Sequence, residues 1–193
     1  IITASGCGTT IKDYGHMLRL DPDYARKAER VSALAKDITE FLADRELPPT
    51  DLSDMYRVVY HSACSMQHGQ QITEAPKQLL SVAGFDVHTP AESHLCCGSA
   101  GTYNILQSEI SAKLKDRKVC NIEAVDPDII ATGNIGCITQ IASGTSVPII
   151  HTVELLDWAY GGPKPEGLPS QPAKRHAVAN SRTSLEDLVE AAE

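Results

Sequence analysis

Short runs of β-branched and aliphatic residues recur along this chain. Between them lie stretches with an apolar residue every three or four positions. Residues 1–4 (Ile-Ile-Thr-Ala) read as a buried strand, followed by a tight turn at Ser5-Gly6-Cys7-Gly8 and a helix opening near Thr9. Asp21 is a good helix cap, with Pro22 at the first helical position. Tyr24, Ala28, Val31, Ala35, Ile38 and Leu42 then keep helical spacing, which predicts one amphipathic helix over 22–45. Pro48-Pro49 breaks the pattern, and strands are expected at 55–61, 85–88, 128–132 and 147–151. Helices are expected at 72–82, at 103–124 (Ile110, Leu114 and Cys120 on its apolar stripe), from Cys137 onward, and at 153–160 with Thr152 as cap.

Strand and helix alternate throughout, which predicts an α/β fold: a parallel sheet with helices on both faces. Such sheets bind ligands beyond the carboxyl ends of their strands. Cys7, Cys64 and Cys137 each follow a predicted strand, and Cys96-Cys97 follows the 85–88 strand after a short loop. Topology therefore sends all five to one edge.

Composition narrows the classes. The 193 residues are 42% hydrophobic and 22% charged, enough for one good core. The net charge of −8 offers no basic face for nucleic acid. No apolar run approaches the roughly 20 residues that span a bilayer, and no signal peptide is visible. A cytoplasmic protein is expected, with room for peripheral association at the inner face of a membrane. Residue 1 is Ile in a strand already under way, so further sequence is expected before it. Residues 1–11 also echo residues 129–141: strand, small-residue turn, Cys, helix start. Residues 161–193, rich in Pro, Gly and Ser, read as a mobile tail in which 184–192 has the pattern of a short helix.

The chemistry concentrates in Leu95-Cys96-Cys97-Gly98-Ser99-Ala100-Gly101, whose small residues let the backbone bend and bring two sulfurs to one point. Separations of 31 residues from Cys64 to Cys96 and 39 from Cys97 to Cys137 allow four thiolates to meet. Clustered cysteines in a reducing compartment read as an iron–sulfur site, a four-thiolate zinc site, or redox thiols. His61, His68 and His94 flank these loops as neighbours that hydrogen-bond the metal site, His94 being best placed to tune it. Gly98 and Gly136 allow close backbone approach and offer N–H donors to sulfur. Cys120 reads as a buried hydrophobe, and the charges of the 103–124 helix as a solvated face. The three-glycine dinucleotide fingerprint is absent. No residue pair reads as a catalytic acid or base.

These blocks resemble the cysteine-rich CCG domain: His61-Ser62-Ala63-Cys64, Cys96-Cys97-Gly98-Ser99-Ala100-Gly101, Gly133-Asn134-Ile135-Gly136-Cys137 and His151-Thr152-Val153-Glu154-Leu155. That family includes a cysteine-rich component of heterodisulfide reductase and the iron–sulfur subunits of lactate and anaerobic glycerol-3-phosphate dehydrogenases. The blocks are most similar to the carboxyl half of the glycolate oxidase (glycolate dehydrogenase) iron–sulfur subunits. The resemblance implies a Rossmann-like module holding an iron–sulfur cluster on Cys64, Cys96, Cys97 and Cys137. It also implies electron transfer from FAD-containing partner subunits that oxidise a 2-hydroxy acid, toward an acceptor the sequence does not name. Residues 1–20 would end a truncated first module, with Cys7 belonging to its separate metal site. Residues 21–50 would connect, and 51–160 would form a complete second module. Thr10 and Gln140 stand where the family's Cys-x-x-Cys would carry its second cysteine. Four thiolates remain, enough for [4Fe–4S]. The rival of another class is a zinc-stabilised, non-redox docking scaffold.

Overall fold

A computed structural model describes residues 1–45, 47–50 and 56–173. Helices α1 (Ser5–Met17), α2 (Ala25–Leu34) and α3 (Ile38–Ala43) come first. Strand β1 (Arg57–Tyr60), a π-helical turn (Ser65–Gly69), α4 (Ala75–Val82) and β2 (Asp86–His88) follow. The chain continues with α5 (Tyr103–Leu106), α6 (Ser108–Glu123), β3 (Ile129–Thr132), α7 (Ile135–Ala142), β4 (Ile149–His151) and α8 (Thr152–Ala159).

The four strands form one parallel sheet in the order β2-β1-β3-β4. Alternation along the strands splits the core in two. Val58, Tyr60, Ile129 and Ala131 face α4 and α8 through Leu79, Leu80, Leu155 and Leu156. Val59 and Ile130 face α6 and α7 through Val119, Ile122 and Ile141. The expected sheet with helices on both faces is thus present. The chain leaves β1 toward β2 on one side and returns to β3 on the other, so the strand order reverses between β1 and β3. That crevice is where open α/β sheets bind ligands.

Several elements differ from expectation for identifiable reasons. Residues 1–4 make no strand: Ile1 is 64% exposed, and Ile2 forms only an isolated bridge to Asp37. The bridge explains why the 22–45 helix divides. Ile2 donates to the Lys36 carbonyl and accepts from the Ile38 N–H, which holds residues 35–37 extended. Asp37 then caps α3 in a reciprocal box, its carboxylate accepting the Thr39 N–H while Glu40 accepts the Asp37 N–H. The turn expected at residues 5–8 is the first turn of α1. Residue 107 breaks the 103–124 helix into α5 and α6, with Gln107 at φ −130° and ψ 53°. Thr152 does not cap α8; the Nδ1 of His151 accepts the Val153 N–H instead.

Residues 161–173 return to the domain. Tyr56 donates to the carbonyls of Pro169 and Ser170, and Ala173 donates to Asp128. The helix expected at 184–192 lies outside the described residues. Among the described residues no helix is long and apolar enough to cross a membrane.

Candidate metal centre

Each thiol is delivered by a different piece of the carboxyl edge. Cys64 sits at the amino end of the π-helical turn, four residues beyond β1. Cys97 belongs to a turn made possible by Gly98, whose φ of +92° suits glycine. Cys137 lies in the first turn of α7, which Asn134 caps by accepting the N–H groups of Gly136 and Cys137. Cys64, Cys96, Cys97 and Cys137 all line one cavity of about 440 Å³. The expected convergence of four distant thiols is what the fold produces.

The sulfurs interact directly. Cys97 Sγ lies 3.4 Å from Cys137 Sγ, and the Gly98 N–H donates to Cys96 Sγ at 3.3 Å. Donation from Cys64 and Cys97, helped by the Gly98 N–H, holds the Cys96 thiol far below its ordinary range. Donation from Cys97, with His61 alongside, brings Cys137 down to about 5. Cys64 and Cys97, the donors, are pushed up, with burial adding to the rise. The arrangement therefore favours the thiolate form at Cys96 and Cys137, the form that binds metal.

The flanking residues divide. His61 follows β1, is 1% exposed, and meets no nitrogen or oxygen partner on either ring nitrogen among the described residues, bearing on the Cys137 sulfur instead. His68 and His94 are exposed and lie away from the cavity wall. Gly136 lies on that wall, but its N–H goes to Asn134 rather than sulfur. Cys7, expected at a separate site, lines this same cavity from the first turn of α1. Ser5 places it there. Its N–H donates to the Gly133 carbonyl, and its hydroxyl meets Ser65 at 2.7 Å and Asn134 at 2.9 Å. Cys120 is exposed on α6, not buried. Thr10 bonds its own helix at Gly6. Gln140 braces the cysteine turn, donating to Ser111, whose hydroxyl donates to the Gly98 carbonyl.

Sequence reasoning misses Lys118, which it places on a solvated face. The residue is fully buried, and its ammonium donates to the carbonyls of Glu92 (2.9 Å) and Ser93 (3.3 Å). Burial pushes its pKa down, while Cys64, Cys97 and Cys96 pull it up. Helical periodicity carries no signal for this, because the accepting carbonyls lie some 25 residues away in sequence. Lys118→Met keeps the length and removes the charge, leaving two carbonyls short of a donor. The expected cost is about 1–3 kcal/mol in urea unfolding. In protein carrying a cluster, the midpoint potential should also fall, since a cation near the sulfurs favours the reduced state.

Comparison with known proteins agrees with this geometry. The profile of the cysteine-rich domain, CCG, matches residues 58–142. The chain is 38% identical over 157 residues to the glycolate oxidase iron-sulfur subunit of Escherichia coli K12, covering 81% of this chain and 39% of that protein. It is 31% identical over 171 residues to the probable glycolate oxidase iron-sulfur subunit of Bacillus subtilis 168, covering 83% and 38%. It is 32% identical over 167 residues to lactate utilization protein A of Oceanobacillus iheyensis, covering 81% and 68%. The chain thus spans about two fifths of the glycolate oxidase subunits it matches. With its sulfurs gathered at the carboxyl edge and these relatives on either side of it, the chain belongs to the cysteine-rich CCG domain family.

Proposed function

We propose that this chain is the cluster-binding part of an iron–sulfur electron-transfer subunit in a 2-hydroxy-acid dehydrogenase complex, with glycolate as the substrate class its most similar blocks suggest. The observation that carries the reading is the meeting of Cys64, Cys96, Cys97 and Cys137 on one cavity wall. Four thiolates suffice for a [4Fe–4S] cluster, which would supply one-electron transfer. The chain's own part is to hold the metal through the four sulfurs, with Cys96 and Cys137 favoured as thiolates. The Gly98 N–H and the buried Lys118 ammonium offset negative charge there. The core formed by Val119, Ile122 and Ile141 keeps water from the inner side. FAD and the oxidation of the hydroxy acid belong to partner subunits in this reading. The likeness to lactate utilization protein A supports lactate as a second substrate class.

Anaerobic reconstitution with ferrous iron and sulfide tests the proposal. A brown protein with a visible charge-transfer band and matching iron and sulfide content is expected. A colourless protein retaining one zinc would overturn it in favour of a scaffold. In the assembled complex, dye reduction driven by glycolate and by lactate separates the two substrate classes.

A further inference from the structure

We propose, resting on the reading that this cavity holds an iron–sulfur cluster, that His61 is a direct nitrogen ligand of that cluster at the end held by Cys97 and Cys137. A neutral imidazole carries one N–H donor and one lone pair. Buried polar groups almost always find partners, because leaving them unpaired inside a protein is costly. His61 is 1% exposed, and neither Nδ1 nor Nε2 meets a nitrogen or oxygen partner among the described residues; the ring bears on the Cys137 sulfur instead. A buried imidazole turned toward sulfur rather than toward oxygen or nitrogen calls for a physical explanation.

Position supplies it. One ring nitrogen of His61 and the sulfurs of Cys97 and Cys137 all lie within 4.8 Å of one another, and all three residues are buried. This is the spacing of donors that converge on one metal centre; Cys97 and Cys137 are on the cavity wall, and His61 is buried beside them. Cys64 and Cys96 are only half buried. The backbone fixes the ring there: the His61 N–H donates to the Ala131 carbonyl at 2.8 Å, tying the end of β1 to β3, the strand that leads to Cys137. Imidazole is chemically competent in this role, since histidine replaces cysteine on one iron of some iron–sulfur centres. The simpler alternative is an N–H···S hydrogen bond to a coordinated thiolate. That bond, like a ligand bond, employs one ring nitrogen, so the two roles differ in the nitrogen's coupling to iron and not in the count of satisfied atoms.

Pulsed EPR on the full chain, reconstituted anaerobically with ferrous iron and sulfide and then reduced, separates the two roles. The chain is prepared once with ordinary histidine and once with ¹⁵N-histidine, so the wild-type sequence itself answers the question. A nitrogen coupling of the size given by a direct iron–nitrogen bond, shifting with the isotope, is expected. It should vanish in His61→Gln and persist in His94→Gln. A brown protein showing only the weak coupling of a hydrogen-bonded ring would overturn the ligand role and leave the cluster assignment standing. So would a strong coupling that survives His61→Gln. A colourless protein would overturn both.

Discussion

Cys97→Ser is expected to leave the fold standing and to empty it of iron. The Cys97 side chain is 1% exposed and packs among Val119, Ile122 and Ile141. A serine hydroxyl there is close in size but keeps its proton at neutral pH, so the soft anionic ligand is lost. The hydroxyl can still donate to Cys137 as the Cys97 thiol does, so the effect expected is the loss of one ligand. Reconstituted protein should carry less than about a tenth of the wild-type iron and sulfide and lack the visible band. The apoprotein should lose only about 1–2 kcal/mol, the cost of a buried hydroxyl with imperfect partners. For a chain of this length that is about 3–6 °C in Tm. Cys120→Ser is the control: it is exposed, stands away from the cavity, and should keep full iron content. Full iron in Cys97→Ser would remove that sulfur from the site.

Gly98→Ala should do the reverse, damaging the fold first and the site through it. Gly98 holds φ at +92°, and a Cβ added there would sit 2.4 Å from the Ser111 carbonyl oxygen and 3.2 Å from Gln140 Nε2. The first obstacle is backbone of α6 and cannot swing aside. Positive φ in a residue with a side chain costs about 1–3 kcal/mol before any clash. The clash brings the expected loss to about 3 kcal/mol or more, about 10 °C in Tm. Gly101→Ala separates the two contributions, because Gly101 has φ +64° but nothing within 4 Å of an added Cβ. It should lose only the conformational part, about 1 kcal/mol. Equal Tm values for the two variants would mean that contact with α6 does not confine the cysteine turn.

What can be read from the residues, and what cannot, follows the range of the interactions involved. The strand runs Val58-Val59-Tyr60 and Ile129-Ile130-Ala131 are local patterns of β-branched and aliphatic side chains, and they form the centre of the sheet. Their carboxyl ends lead to Cys64 and Cys137, whose approach follows from alternation; Cys96 and Cys97 come eight residues after β2 and are held by the Gly98 turn and Ser111. The division of the 22–45 helix depends on Ile2, some 35 residues away, pairing with the segment around Asp37. Only the Asp37–Glu40 box hints at it locally. The buried face of α6 escapes the hydrophobic pattern because it is chosen by polar demand. Ser111 serves the Gly98 carbonyl and Lys118 serves Glu92 and Ser93, while Ile110 and Cys120 turn outward. A hydrophobic period cannot detect a helix whose inner side is partly polar. The echo between residues 1–11 and 129–141, read as the end of a first module, sends Cys7 to another site, whereas the Ser5 contacts bring α1 to the rim of this one.

That docking carries a practical lesson about where the working unit ends. The family match begins at residue 58, but Ala4, Gly6 and Cys7 form part of the cavity wall, and Thr3 is tied to His151 at 2.7 Å. An expression boundary drawn at the profile match would remove that part of the wall. The surroundings of the sulfurs are thus supplied by two distant stretches of polypeptide, and the segment bearing the cysteine pair does not complete them alone.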